Sequence, residues 1–258
     1  MKTCNLKPLQ DLRILNTRPA GQNRSLQDAI VAAGGQSIAL PTISIEPLAG
    51  WAVQLPDLSL IDKAIFTSSN AVNIFFSTLS RMRMHWPETI SVIAIGQSSA
   101  ASLRKMGIHV DAVPAVSDSE HLLQLPIMRE TNQKSVLLVK GENGRTLIAD
   151  SLNQRGTHLI VLDVYRRSMP SFPQSYLNSL WNEDRFDIIL VLSEQSLRNL
   201  FSLFGLEARA WLCTKPCLVI SERLAKIAQT FGMGKIIMSR HDRILNDLIA
   251  FATSVRSD

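Results

Sequence analysis

The pattern of this chain is written twice, and that constrains its fold more than any single motif. A stretch opening Ile14-Leu15-Asn16-Thr17 and another opening Leu137-Leu138-Val139-Lys140 run in parallel for about a hundred residues each. Arg24, Leu26 and Gly35 recur as Arg145, Leu147 and Gly156 at one constant spacing. Asp62, Ser68 and Gly107 recur as Asp187, Ser193 and Gly232 at a spacing only slightly larger. A repeat this long means two similar α/β units rather than a solenoid. Two like units facing each other leave a cleft, the usual place for a ligand.

At 258 residues, 46% hydrophobic and 19% charged, the chain is long enough for two domains with a core each. The first dozen residues hold no apolar run, so no signal peptide is expected, and no segment has the length of a membrane span. The expectation is a cytoplasmic protein. Cys4, Cys213 and Cys217 are too few for a disulfide framework and read as reduced structural thiols. His85, His109, His121, His158 and His241 are scattered, with no i, i+4 pair, so no metal is expected. A net charge of +5 and a pI near 9.3 favour an anionic partner. Aromatic residues make up only 6% and show no stacking pattern, so a small polyanion fits at least as well as nucleic acid.

Each copy opens with a short apolar strand, residues 13–16 and 135–139. An amphipathic helix follows, with Leu26, Ala29, Ile30 and Ala33 on one face and Leu147, Ile148, Ser151 and Leu152 at the matching places. Gly34-Gly35 and Gly156 are the expected helix stops. Second strands are expected at 37–40 and 158–162. Apolar strands at 64–66 and 188–191 then run into Thr67-Ser68-Ser69-Asn70 and Ser193-Glu194-Gln195-Ser196, both good helix caps. Strands at 92–95 and 217–220, helices ending at Gly107 and Gly232, and short strands at 110–113 and 235–238 complete each unit. This alternation predicts parallel sheets with helices on both faces.

Two segments break the rhythm. Residues 41–47, bracketed by Pro41 and Pro47, and residues 162–168, with Pro170 beyond, are extended and polar-alternating, as connectors would be. Periodicity alone leaves open whether they exchange the chain between domains or join domains in sequence. Residues 125–134 form a second linker candidate.

The polar residues that stand out cluster at strand-to-helix turns: Thr17-Arg18-Pro19, Ser68-Ser69-Asn70, Gly96-Gln97-Ser98-Ser99, Gly141-Glu142-Asn143-Gly144-Arg145, Ser193 and Ser221. In a doubly wound sheet such turns lie at the carboxyl edge, where ligands bind. Helix N-termini there present unpaired N–H groups and the positive end of the dipole, which suits carboxylates or phosphates. Any one Ser or Thr is also an ordinary cap; six such turns in two copies point to a binding surface. The segment from Gly141 lacks the spacing and the lysine of a phosphate loop, and no dinucleotide fingerprint, Gly-x-Ser-x-Gly elbow or His-Glu-x-x-His is present.

Taken in order, these residues resemble the uroporphyrinogen-III synthase family. The carriers are Ile14-Leu15-Asn16-Thr17-Arg18-Pro19 with Gly21-Gln22, Phe66-Thr67-Ser68-Ser69-Asn70-Ala71-Val72, and Ile95-Gly96-Gln97-Ser98-Ser99-Ala100. The Gly141–Arg145 turn, Val164-Tyr165-Arg166-Arg167 and Ser221-Glu222-Arg223-Leu224-Ala225 complete the set. The resemblance spans nearly the whole chain, in matching order and spacing. It implies an α/β fold of two similar domains, each a parallel sheet flanked by helices, joined by a two-stranded linker. One domain would combine residues 1–44 with 167–258 and the other would be 45–166, with the active-site cleft between them.

The resemblance also implies the substrate, hydroxymethylbilane, a linear tetrapyrrole with eight carboxylates. Loss of its terminal hydroxyl is driven by the pyrrole's own electrons, so neither metal nor cofactor is expected. The resulting azafulvene, left alone, closes to the symmetric isomer. The family's enzymes direct attack to the substituted carbon of ring D through a spiro intermediate, inverting that ring. Tyr165 matches the family's connector tyrosine and is the candidate catalytic residue, its phenol donating to the departing hydroxyl. The substrate-binding candidates are Thr17, Arg18, Ser68, Ser69, Asn70, Gly96, Ser99, Gly141, Arg145, Ser193 and Ser221.

Ser99 stands where the family often has Thr and keeps the hydroxyl. Ser221 replaces Gly and Leu224 replaces Thr, so the backbone rather than the Leu224 side chain is expected to bind there. The implied protein is a monomer with a small-molecule partner, no nucleic acid and no membrane, and room for a transient contact with the preceding pathway enzyme. Two alternatives stand beside it: a non-catalytic tetrapyrrole- or polycarboxylate-binding paralogue, and a periplasmic-type solute-binding protein, which the lack of an export signal disfavours.

Overall fold

The computed structural model describes residues 7–22 and 24–257; Cys4 lies outside them. The chain opens with β1 (Arg13–Asn16), α1 (Arg24–Ala32) and β2 (Gln36–Ala39), then β3 (Ser44–Pro47). There follow β4 (Lys63–Phe66), α2 (Ser69–Arg81), β5 (Ser91–Ala94), α3 (Gln97–Lys105) and α4 (Ser119–Gln124). Next come β6 (Ser135–Gly141), α5 (Leu147–Gln154) and the long β7 (His158–Ser168). The last part holds α6 (Gln174–Asn182), β8 (Ile188–Leu190), α7 (Glu194–Phe204), α8 (Arg209–Thr214) and β9 (Cys217–Val219). It ends with α9 (Glu222–Phe231), β10 (Ile236–Met238) and α10 (Ile244–Ser257).

These elements form two compact units. The terminal unit takes the described residues up to Ser44 and those from Ser168 onward; the central unit is Ile45–Arg167. Among the described residues each unit has a five-stranded sheet, β10-β9-β8-β1-β2 in the terminal unit and β3-β7-β6-β4-β5 in the central one. β1 pairs in parallel with β2 and β8, and β4 in parallel with β5 and β6. The first copy of the repeat thus supplies β1 and β2 to one sheet and β4 and β5 to the other. The second copy supplies β6 and β7 to the central sheet and β8, β9 and β10 to the terminal one. Each sheet is built from half of each copy.

One hydrogen-bonded staple closes both joins. Asp187, just before β8, accepts the Arg13 backbone N–H at 2.7 Å, and its own N–H donates to the Arg13 carbonyl at 2.9 Å. Asp62, just before β4, accepts the Ser135 N–H at 2.8 Å and donates to the Ser135 carbonyl at 3.0 Å. A cation reinforces each carboxylate: the Arg13 guanidinium donates to Asp187 at 2.5 and 3.2 Å, and Lys134 Nζ donates to Asp62 at 3.1 Å.

Side chains alternate across each strand, so each sheet has two apolar faces. In the central unit Ala64, Phe66, Leu137 and Val139 pack with α2 and α3 through Phe75 and Leu103. Ile65, Val136 and Leu138 meet Leu122 of α4 and Leu152 of α5 on the other face. In the terminal unit Leu15, Ile189 and Val219 face Leu180, Leu197 and Ala228, while Ile14, Ile188 and Leu218 face Ile30 of α1 and Leu248 of α10.

Several expectations need correction. Residues 110–113 make one bridge, Ile93 to Ala112, and not a strand, because Pro114 removes the next donor and Asp111 turns its carboxylate onto the Val92 N–H at 2.7 Å. Residues 125–134 are no linker: they lie inside the central unit, Met128 is fully buried, and Arg155 donates to its carbonyl at 2.6 Å. Residues 162–168 do not leave the strand expected at 158–162 but continue it, and the Leu48 N–H donates to the Val164 carbonyl at 3.0 Å. Cys213 and Cys217 are free thiols, and burial pushes the Cys217 thiol up to about 12.

Candidate active site

The carboxyl edge of the central sheet gathers the most chemistry. The register between β6 and β7 shifts at Lys140/Gly141, and Gly141 comes to lie opposite Tyr165. The Glu142 N–H donates to the Tyr165 carbonyl at 2.7 Å. The Tyr165 ring, 3% exposed, lies against the bare Cα of Gly141. A Cβ there would come within 2.5 Å of Cζ and 2.9 Å of both Cε atoms, so glycine is a requirement of close approach. The ring packs in the core beside Val139 and Val164, which leaves the hydroxyl as its polar end.

That hydroxyl lies 3.1 Å from Ser68 Oγ. Ser68 is the N-cap of α2, with extended backbone, and its Oγ accepts the Ala71 N–H at 3.1 Å. Arg167 Nη2 donates to the same phenol oxygen at 3.4 Å, with the guanidinium carbon 5.9 Å from the ring centroid. Ser69 and Asn70 form the first turn of α2, half-buried, with no acidic residue in that turn. Gly96 caps α3 without a side chain, and a Cβ on it would stand 2.8 Å from Ser117 Cβ. Ser68, Gly141 and Tyr165 are thus brought into contact.

Two candidates on this unit are placed otherwise. Ser99 is 1% exposed, turned inward on α3 with Ala100 and Leu103. Arg145 is exposed and bidentate on Glu120, at 2.5 and 3.0 Å, which raises its pKa and holds the Glu120 carboxyl below its ordinary value.

The terminal unit presents the matching turns. Thr17 is 1% exposed, and its hydroxyl donates to the Leu190 carbonyl at 2.7 Å, so it works as a strut between β1 and β8. Arg18 is half-buried, and desolvation lowers its pKa from the ordinary value. Ser193 caps α7, accepting the Ser196 N–H at 3.1 Å and donating to Ser196 Oγ at 3.0 Å. Ser221 caps α9 through the Leu224 N–H at 3.3 Å, and the Leu224 side chain is buried. Unlike α2 and α3, these helices carry acids in their first turns, Glu194 and Glu222. Glu194 accepts from Arg198 at 2.8 and 3.0 Å and from Arg223 at 3.0 Å, which lowers its pKa.

The family model for uroporphyrinogen-III synthase HemD matches residues 24–245. The chain belongs to the uroporphyrinogen-III synthase family. It is 30% identical over 226 residues to the uroporphyrinogen-III synthase of Escherichia coli (strain K12), covering 86% of this chain and 92% of that one. The Salmonella typhimurium synthase is 29% identical over the same length. Among solved structures, a mutant uroporphyrinogen III synthase of Thermus thermophilus superposes with a TM-score of 0.63 at 15% identity, covering 96% of this chain and all of that one. The Helicobacter pylori enzyme superposes at 0.62 with 18% identity, covering 95% and 100%. At these identities the structures speak to the fold alone.

Within this family member Arg167 stands at the site without having been a sequence candidate, although the motif Val164-Tyr165-Arg166-Arg167 contains it. The signal was present: two residues along a strand from Tyr165, Arg167 shares its face. The acids of α7 and α9 were not candidates either, since their meaning depends on comparing them with α2 and α3. The Glu120 partner of Arg145 carries no short-range signal, because α4 belongs to no repeated motif.

Proposed function

We propose that the chain converts hydroxymethylbilane to uroporphyrinogen III, releasing water and inverting ring D. The observation that carries this reading is the family match over residues 24–245. The pyrrole expels the hydroxyl with its own electrons, so the protein's work is to hold the bilane in the conformation that gives the inverted ring and to help the oxygen leave. Tyr165 is assigned to the leaving hydroxyl, supported by its contact with the helix-capping Ser68 at a carboxyl edge. The substrate's carboxylates are assigned to the backbone N–H groups of Ser68, Gly96 and Gly141 and to the polar groups of Ser69 and Asn70, with Arg18, Ser193 and Ser221 in the terminal unit.

Three earlier candidates have a lesser part in this reading. Thr17 is buried and acts through the Leu190 carbonyl it holds, Ser99 is turned into the core of its unit, and Arg145 would have to release Glu120 before it met a carboxylate. No helix among the described residues is long and apolar enough to cross a membrane. We place the protein in the cytoplasm. A bilane that closes by itself would be best handed over in a transient contact with the preceding enzyme.

The test is turnover of hydroxymethylbilane with separation of the product isomers. The type III isomer, formed faster than the spontaneous reaction, is the expected result. Type I alone, at the rate seen without protein, would overturn the reading and favour a non-catalytic tetrapyrrole-binding protein.

A further inference from the structure

We infer that Arg167 is a positioning residue for the leaving-group step: it fixes the direction of the hydrogen-bond chain Arg167 to Tyr165 to Ser68, so that the proton offered to the departing hydroxyl is that of Ser68. The inference rests on the functional reading above and goes beyond it in route and in residue. A guanidinium only donates, so the 3.4 Å contact makes the phenol oxygen its acceptor. The phenol has one proton of its own. The ring is 3% exposed, and Ser68 Oγ at 3.1 Å is the acceptor within reach. Turned any other way, a buried donor would lack a partner, which costs more than the bond itself gains. Ser68 Oγ therefore accepts twice, from Tyr165 and from the Ala71 N–H, and its own proton is directed away from both. Half-buried at the start of α2, that hydroxyl is the end of the chain that a ligand reaches.

The carbon–oxygen bond of the terminal hydroxymethyl group breaks, its electron pair leaves with oxygen, and the pyrrole nitrogen, keeping its hydrogen, supplies the pair that forms the azafulvenium cation. Ser68 gives its proton to the oxygen, which departs as water, and Tyr165 gives its proton to Ser68. The phenolate left behind faces the Arg167 charge. The net reaction removes one water, so the second hydrogen comes from the pyrrole carbon at ring closure, and that proton restores the phenol.

The experiment compares Arg167→Met, Arg167→Lys, Tyr165→Phe and the double variant Arg167→Met/Tyr165→Phe, each checked for an unchanged melting temperature. Arg167 is exposed, so its replacement leaves the core intact. Arg167→Met should lower kcat about tenfold with KM unchanged and raise the share of type I product, on the scale of one charge-assisted hydrogen bond. Arg167→Lys should recover part of the loss. In the Tyr165→Phe background, where no oxygen is left to orient, Arg167→Met should add nothing. A rise in KM with kcat intact would show instead that Arg167 holds a substrate carboxylate and would overturn the inference. Full additivity with Tyr165→Phe, or an Arg167→Met enzyme indistinguishable from the parent, would do the same while leaving the functional reading in place. A parent protein that makes no type III isomer fails at the earlier step.

Discussion

α2 and α7 are one helix written twice, and they meet their surroundings differently. Each starts from a serine cap that follows a matched strand, Ser68 after β4 and Ser193 after β8. Ser68 bonds to Tyr165, a residue of another strand, whereas Ser193 bonds to Ser196 in its own first turn. The first turn of α2 holds no acid; that of α7 holds Glu194, already met by two arginines. α3 and α9 repeat the contrast, with Glu222 on α9 alone. A carboxylate in the first turn satisfies the positive end of the helix dipole from within. In these two pairs the copy in the central unit lacks that carboxylate and the copy in the terminal unit has it, whereas the pair α1 and α5 runs the other way, with Asp150 on α5 of the central unit. At the opposite edges of the sheets, the Asp62 and Asp187 staples stayed alike. Duplication kept what joins the strands and let the first turns of these helices diverge.

The largest test of this contrast is Tyr165→Phe, which has no counterpart in the terminal unit. Phe preserves the ring against Gly141 and removes only the hydroxyl. A fall in kcat of about 10²-fold is expected, the low end for a positioned acid because the pyrrole supplies most of the driving force. Bilane escaping the slowed enzyme should shift the product toward type I. An unchanged rate and isomer ratio in the folded variant would reduce Tyr165 to a packing residue.

Next come the two caps. Ser68→Ala and Ser193→Ala should each weaken catalysis by roughly 0.5–3 kcal/mol, one hydrogen bond's worth, with Ser68 near the top of that range and Ser193 near the bottom. Both should lose about 1 kcal/mol of stability as helix caps. Equal kinetic effects, read from kcat/KM beside urea unfolding, would erase the distinction between the units.

Ser69→Glu copies the Glu194 position onto α2. It should raise KM about tenfold by setting a like charge where a substrate carboxylate binds, while adding about 0.3–1 kcal/mol of stability through the dipole. A KM that does not move would show that α2 is not where the substrate's charge sits.

The smallest effect concerns what the units share. Asp62 has its pKa lowered from the ordinary 3.8, first by the Ser135 N–H and then by Lys134. A depressed folded value stabilises the protein above the ordinary value, and that contribution is lost as pH falls through the folded one. Asp62→Ala should therefore cost about 0.5–1.5 kcal/mol at neutral pH and progressively less below the ordinary value. A deficit that stays constant into acid, measured by urea unfolding across pH, would assign the effect to packing rather than to the carboxylate.

The fold class was legible because both of its signals are local: apolar strands of a few residues and capped helices recur at fixed spacings. The strand at 13–16 came out as β1, since Arg13, Asn16 and the glycines beyond α1 mark its limits within one window. The segment at 110–113 failed because its apolar alternation resembles a strand, while Asp111 and Pro114 act on pairing with β5, which no local window contains. The site was harder to read for the same reason. Ser68 and Tyr165 are 97 residues apart, and their contact is set by the sheet order β7-β6-β4. Composition also cannot distinguish a serine that meets a ligand from one that, like Ser99, turns inward.

The exchange of repeat halves between sheets has a consequence for the order in which the molecule is completed. The central unit is one continuous stretch, and all of its strands exist once β7 has left the ribosome. β1 is made first of all, yet the aspartate that staples it lies 174 residues further along. Until β8 emerges, the edge of β1 that faces it is unpaired, and contacts at such separation are slow to form. The middle of this chain can therefore finish during synthesis, while its beginning waits for its end.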